Sequence, residues 1–233
     1  MCTVTFVPLP KDEFVLTSNR DELPSRKTIF PEVYQDEEVK LLFPKDEVAG
    51  GTWIGASSKK RMLSLMNGGF FPHKRKEKYR LSRGIVVLNL LKTDDIEEHI
   101  HSFNFSDIES FTIILFENID DPKLYQIVWD EERIHFKNLP IAPQIWSSAP
   151  LYSPEMHNER RKWFKRLKES NNIKREDIWT FHHEAGNDDK EVGLIMDRGF
   201  IKTKSVTQYL FNTDGIKVYY HDLQTEELSE KSM

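Results

Sequence analysis

Cys2 is the single cysteine of the chain and stands directly after the initiator methionine. A side chain this small permits removal of Met1, which would leave a thiol and an α-amino group on one residue. An unperturbed α-amine titrates at about 8, so a fraction is neutral at pH 7 and can take the thiol proton, directly or through water. Such a residue is a nucleophile that carries its own base. The plainer alternative is a buried strand cysteine, because Cys2, Val4 and Phe6 would share one face of a strand.

The charged tetrad Asn19-Arg20-Asp21-Glu22 gives the first alternative its weight. A hairpin with its turn centred near Pro10 brings Cys2 opposite Ser18 or Asn19, give or take one position, with the tetrad at the open end of the strand pair. An arginine there favours thiolate, and a carboxylate can hold and orient the α-ammonium. Read alone, the tetrad is more commonly a surface turn with an Arg to Asp or Glu ion pair of little energetic consequence. Three further features have two readings. Gly51 can present backbone amides to a pocket or only allow close backbone approach. Arg83 and Gly84, after Ser82 at a helix start, can bind an anion through free N–H groups, although capping alone accounts for the serine. His182 and His183, beside Glu184, are of a type that ligates metal or haem iron. Neighbours on a helix point about 100° apart, however, so the pair reads as a surface feature and no metal site is expected.

Composition narrows the class. The chain has 233 residues, 38% hydrophobic content and a formal net charge of −5, which fits one domain over residues 1–233 and gives no global reason to expect nucleic acid as a partner. The basic run from His73 to Arg83 holds six Lys or Arg residues with Tyr79 as its one aromatic, the pattern of a solvated connection. No stretch reaches the roughly 18 consecutive apolar residues of a membrane span. The first residues lack the basic and apolar regions of a secretory signal, so a cytoplasmic location is expected. One cysteine excludes an internal disulfide and any zinc site built on two cysteines.

Several elements must position these residues. Strands are expected over 2–7 and 14–18, then over 52–56 and 62–66 around the turn Ser57-Ser58-Lys59-Lys60, which brings Gly51 and Asn67 together at one open end. Residues 23–48, rich in Pro, Glu, Asp and Lys, read as a long surface excursion. Helices are expected from Arg83 to about Leu91 and after Asp94-Asp95, then a meander over 111–116, 124–129 and 133–136 ending near Trp146. Helices at 154–169 and 174–183 precede a hairpin over 199–211 and 216–221 and a frayed polar tail over 225–233. This order suits antiparallel sheets covered by helices on their outer faces.

Met1-Cys2, Thr17-Ser18-Asn19-Arg20-Asp21-Glu22, Gly50-Gly51-Thr52-Trp53-Ile54-Gly55, Leu65-Met66-Asn67, Ser82-Arg83-Gly84 and Trp146-Ser147-Ser148 occur in an order that resembles the NRDE family, also called the transport and Golgi organization family. The resemblance implies an α+β fold, a four-layer αββα N-terminal-nucleophile (Ntn) hydrolase sandwich distantly similar to choloylglycine hydrolase and penicillin V acylase. It makes Cys2 the nucleophile, sets Arg20 beside its sulfur and has Asp21 bind the α-amino group. It also makes Asn67 a side-chain oxyanion donor and leaves Ser148 as a second donor where the acylases carry an asparagine. Asn19, Gly51 and Arg83 become substrate-binding candidates, and Lys204 or Arg198 stands nearest to the late arginine of those acylases. The activity implied is an amidohydrolase or acyltransferase for a small amide or acyl substrate, acting on C–N bonds other than peptide bonds and requiring no cofactor. The resemblance equally carries a non-catalytic alternative, a haem or lipid carrier using the same pocket.

Overall fold

The computed structural model describes residues 2–170 and 172–233, and of Cys2 the backbone alone. β1 (Cys2–Leu9) and β2 (Glu13–Glu22) pair antiparallel around residues 10–12, where Lys11 and Asp12 take left-handed φ values of 65° and 55°. This turn sets the register that places Cys2 opposite Arg20, one position beyond Asn19.

Two antiparallel sheets follow. The first contains β1 and β2 with β10 (Gln144–Ser147), β11 (Lys202–Asn212), β12 (Gly215–Asp222) and β13 (Glu227–Ser232), in the order β10-β1-β2-β11-β12-β13. The second runs in sequence order from β3 (Thr28–Asp36) and β4 (Val39–Asp46) through β5 (Ile54–Ser57), β6 (Arg61–Asn67), β7 (Phe111–Asn118) and β8 (Pro122–Trp129) to β9 (Ile134–Leu139). β7 reads as a continuous apolar run because both of its faces are covered: Ile114 and Phe116 enter the layer between the sheets, while Phe111, Ile113 and Leu115 meet helices.

Those helices are α1 (Arg83–Lys92) and α2 (Ile96–Ser102), whose Val86, Leu90, Ile96 and Ile100 pack on the second sheet. On the outer face of the first sheet, Phe164 of α3 (Pro154–Lys168) and Ile178 and Phe181 of α4 (Arg175–Glu184) cover Val7 and Val15. The four-layer αββα sandwich expected from the sequence is thus present. Asp95 caps α2 by accepting from the Glu98 N–H at 2.9 Å, and Ser153 caps α3 ahead of Pro154. Ser82 occupies the N-cap position of α1, but its side chain makes no capping bond.

Two expectations are corrected. Residues 23–48 are no surface excursion, since β3 and β4 occupy most of them. β3 is an edge strand with Pro31 at a register shift, so it needs neither an unbroken ladder nor an apolar face, and its composition hides it. The tail over 225–233 is not frayed either. Glu226 turns the chain with φ 58° and β13 pairs with β12, using backbone hydrogen bonds that make no demand on its polar side chains. Among the described residues, no helix is long and apolar enough to cross a membrane.

The layer between the sheets is centred on Phe116, whose ring lies 4.5 Å from Phe14, 5.3 Å from Phe6 and 5.7 Å from Phe211. Phe116→Ala is expected to lower unfolding free energy by about 3–5 kcal/mol, measured by urea denaturation, because the packed strands on both sides cannot close the cavity.

Candidate active site

β2 lies inside its sheet, and every residue from Phe14 to Asp21 is buried. Strand alternation therefore sends Arg20 to the face between the sheets and Asp21 to the face under the helices, and each charge needs its own polar partners. Arg20 donates to Thr28 Oγ1 at 2.6 Å and to Asp46 Oδ2 at 2.6 Å, with its guanidinium 4.0 Å above the Trp53 ring. Arg26 donates to the same Asp46 oxygen at 2.8 Å, and the N–H groups of Val48 and Ala49 reach the other oxygen. Burial alone would raise the Asp46 carboxyl, but the Arg26 and Ala49 hydrogen bonds and the charges of Arg20 and Arg26 hold it below the usual carboxylate range. Two arginines thus share one carboxylate. The buried Lys204 ammonium, bound to the Pro24 and Arg26 carbonyls, adds to the positive side; burial and the Arg20 charge lower its pKa.

On the opposite face, Asp21 accepts from Thr203 Oγ1 at 2.7 Å and from the Tyr152 hydroxyl. Burial raises its carboxyl. The largest opposing influence is the charge at the chain's amino end, followed by the Tyr152 hydrogen bond and Arg160. Asn19 shares this face and does not join Arg20. Its amide donates to the carbonyls of His182 and Leu194, each at 2.9 Å, and its oxygen meets His182 Nδ1. That arrangement leaves the proton on Nδ1 and lets Nε2 accept from Thr5 Oγ1 at 2.7 Å. His182 is therefore no surface residue: burial, with His183 and Arg160 nearby, depresses it to about 3, and it stays neutral. His183 instead meets His221 at 3.0 Å.

A cavity of about 660 Å³ opens at the strand ends, lined by Arg20, Gly51, Trp53, Asn67 and Arg83 among others. Of the residues singled out from sequence, Arg20, Gly51, Asn67 and Arg83 meet at this cavity, whereas Asn19, Asp21 and Ser148 do not line it. The Cys2 side chain lies outside the described part of the structure, and its backbone holds the register position opposite Arg20. Asn67 ends β6, and its carbonyl accepts from Ser148 Oγ at 2.8 Å. A hydroxyl has one proton, so in this arrangement Ser148 fixes the end of β6, and donating to an oxyanion would require breaking that bond. Gly68, at φ +83°, continues the clamp, since a Cβ there would sit 2.4 Å from the Pro150 ring. Gly51 and Gly84 touch backbone to backbone, a Cβ on Gly51 falling 2.5 Å from the Gly84 carbonyl carbon. This contact seats the start of α1 on the cavity wall. Arg83 donates to the Ser110 carbonyl at 3.1 Å and pairs with Glu109 at 3.1 Å. Of the two late cations, Lys204 lies beside Arg20, whereas Arg198 reaches the Leu151 and Glu191 carbonyls.

Sequence reasoning missed Asp46, Arg26, Tyr152, Thr203 and Arg160. Asp46 and Arg26 sat in the stretch read as loop. Arg160 carried a usable signal, since an arginine four residues before Phe164 interrupts the apolar stripe of α3.

A family model described as Transport and Golgi organisation 2 matches residues 1–197. No curated protein matches the chain by sequence. Among solved structures, the chain is similar to a mutant of the conjugated bile acid hydrolase from Clostridium perfringens, with TM-score 0.64 and 11% identity over 100% of this chain and 92% of that one. It is also similar to the Caenorhabditis elegans N-acylethanolamine-hydrolyzing acid amidase ortholog, with TM-score 0.61 and 8% identity over 89% and 92% of the two chains. Penicillin V acylase from Agrobacterium tumefaciens gives TM-score 0.57 and 9% identity over 100% and 86%. At such identities the likeness is one of fold, that of the Ntn hydrolases.

The Asp46 arrangement has a pH signature. Its carboxyl is lowered in the folded state, so its contribution is full above the unfolded value of about 3.9 and disappears as pH falls through the folded value. Asp46→Asn, which leaves two arginines without their carboxylate, is expected to cost about 3 kcal/mol at neutral pH. In denaturant titrations the gap to the wild type should close below about pH 4.

Proposed function

The chain belongs to the Transport and Golgi organisation 2 family, and we propose that it is an N-terminal-cysteine amidohydrolase or acyltransferase acting on a small amide or acyl substrate. The observation that carries this reading is the pairing of Cys2 with Arg20, whose guanidinium lines the cavity of about 660 Å³. The Arg20 guanidinium at this strand end favours thiolate, while Arg26 and Lys204 offset the neighbouring carboxylates of Asp46, Glu22 and Asp222.

In the proposed reaction, Met1 is first removed. The α-amine of Cys2 takes the thiol proton, and sulfur attacks the carbonyl carbon of the substrate. The carbonyl electron pair moves onto oxygen, where the Asn67 amide donates a hydrogen bond to the resulting anion. When the anion collapses, the C–N bond breaks and the α-ammonium returns its proton to the leaving amine, leaving a thioester on Cys2. Water, or an acceptor amine, then attacks the thioester with the α-amine again as base and releases the free thiol. Asp21 holds the α-amine throughout. Gly51 and Arg83 line the cavity in which the rest of the substrate lies. The expected substrates contain amide C–N bonds other than peptide bonds.

Intact-mass analysis is expected to show the chain without Met1, and a thiol-directed acyl electrophile should label Cys2 rapidly at neutral pH. Retained Met1 with an inert thiol would sink the reading. Arg20→Gln should slow labelling at pH 7 by about tenfold, the effect of raising the thiol by about one unit. Asn67→Ala should leave simple alkylation unchanged, because alkylation develops no oxyanion, yet slow turnover of an acyl substrate by about 100-fold.

A further inference from the structure

The buried surroundings of Asp21 are more elaborate than an isolated carboxylate needs. The Tyr152 hydroxyl donates to Oδ2 and Thr203 Oγ1 donates to Oδ1 at 2.7 Å, so each oxygen has its own donor. Thr203 is itself oriented: the Met196 N–H donates to its oxygen at 2.9 Å, and of the two acceptors its one proton can reach, the Asp21 oxygen at 2.7 Å is nearer than the Leu194 carbonyl at 3.1 Å. Behind the Tyr152 ring, at 3.6 Å, lies the guanidinium of Arg160. Arg160 is fixed by the Val192 and Gly193 carbonyls, both at 2.9 Å, and by Thr3 Oγ1 at 2.6 Å, a residue adjacent to Cys2 in β1. Among the described residues, the groups facing Asp21 include Tyr152 from the segment after β10, Thr203 from β11 and Arg160 from α3. His157 and Arg198 flank Tyr152 at 6.2 Å and 5.6 Å.

We propose that Tyr152 and Thr203, with Arg160 supporting the Tyr152 ring, are positioning residues that hold the Asp21 carboxylate against the α-amino group of residue 2. The inference rests on the reading of Cys2 as the processed first residue. A carboxyl this deeply buried tends toward its neutral form, in which it cannot hold an ammonium group. Two hydroxyl donors and a nearby guanidinium favour the ionised form and fix its direction. A carboxylate held beside the α-ammonium favours that charge in turn and raises the pKa of the amine. Loosening or neutralising Asp21 therefore lowers the amine pKa.

The single cysteine makes this measurable, because cysteine labelled with carbon-13 at Cα and Cβ reports residue 2 alone. The Cα shift follows the α-amine and the Cβ shift follows the thiol. In protein confirmed by mass to lack Met1, the α-amine midpoint is expected to fall by about one unit in Tyr152→Phe, which keeps the ring under Arg160. It should fall similarly in Thr203→Val and return to the wild-type value in Thr203→Ser. Circular dichroism at each pH restricts the comparison to folded protein, and if Tyr152→Phe does not fold, the two Thr203 variants decide the outcome. Wild-type midpoints in Tyr152→Phe and Thr203→Val would overturn the inference while rapid labelling of wild-type Cys2 still stood. A chain that retains Met1 would overturn both readings together.

Discussion

The site depends on the burial of both faces of β2. A strand paired on both edges, with a second sheet against one face and helices against the other, has no solvent for its charged residues, yet Arg20 and Asp21 lie side by side on it. Alternation separates them onto opposite faces, and each is then compensated by a different set of partners. Arg20 takes Asp46, Thr28 and the Trp53 ring; Asp21 takes Tyr152 and Thr203 with Arg160 beyond. Much of the polar structure at this end of the sandwich follows from meeting those two demands.

The compensation is uneven in a way that bears on chemistry. Between the sheets, the cations Arg20, Arg26 and Lys204 are interleaved with the carboxylates of Asp46, Glu22 and Asp222, and Arg20 is the one in register with the start of β1. Under the helices, the Asp21 carboxylate accepts from the Tyr152 and Thr203 hydroxyls, with the Arg160 guanidinium behind the Tyr152 ring. The first residues of β1 thus run beside a strand whose Arg20 guanidinium lies on one face and whose Asp21 carboxylate lies on the other. Backbone contacts hold the wall of the cavity in place: Gly51 on Gly84 seats α1, and Ser148 on the Asn67 carbonyl, with Gly68 under Pro150, pins the end of β6.

Much of this was legible in the chain, because local pattern and turn chemistry act over a few residues. The hairpin bringing Arg20 to Cys2, the apolar meander of β7 to β9 and the capped helices all announce themselves in this way. The strands that escaped notice, β3 and β13, are edges whose pairing uses backbone groups; β13 is polar, and the Phe30 and Tyr34 rings of β3, which pack on Tyr220 and Phe43, stand among charged residues and a proline, so no clean hydrophobic period marks either. His182 escaped for the opposite reason. Its partners, Thr5 and Asn19, are 177 and 163 residues away in the chain, and nothing near it in sequence foretells its burial.

The sequence by itself determined which residues were present for chemistry and roughly which elements would carry them: a cysteine at position 2, the Asn19 to Glu22 tetrad at the open end of a strand pair, and an asparagine ending another strand before two glycines. The tertiary structure alone decided how the tetrad divides. Residues adjacent in sequence look like one cluster, but on a strand buried from both sides they belong to two environments. Asn19 goes to His182, Asp21 to Tyr152 and Thr203, and Arg20 to Asp46 and Trp53. The physical reason is that burial of a charge or amide is tolerated only where distant elements supply its hydrogen bonds, and those elements meet only in the folded chain.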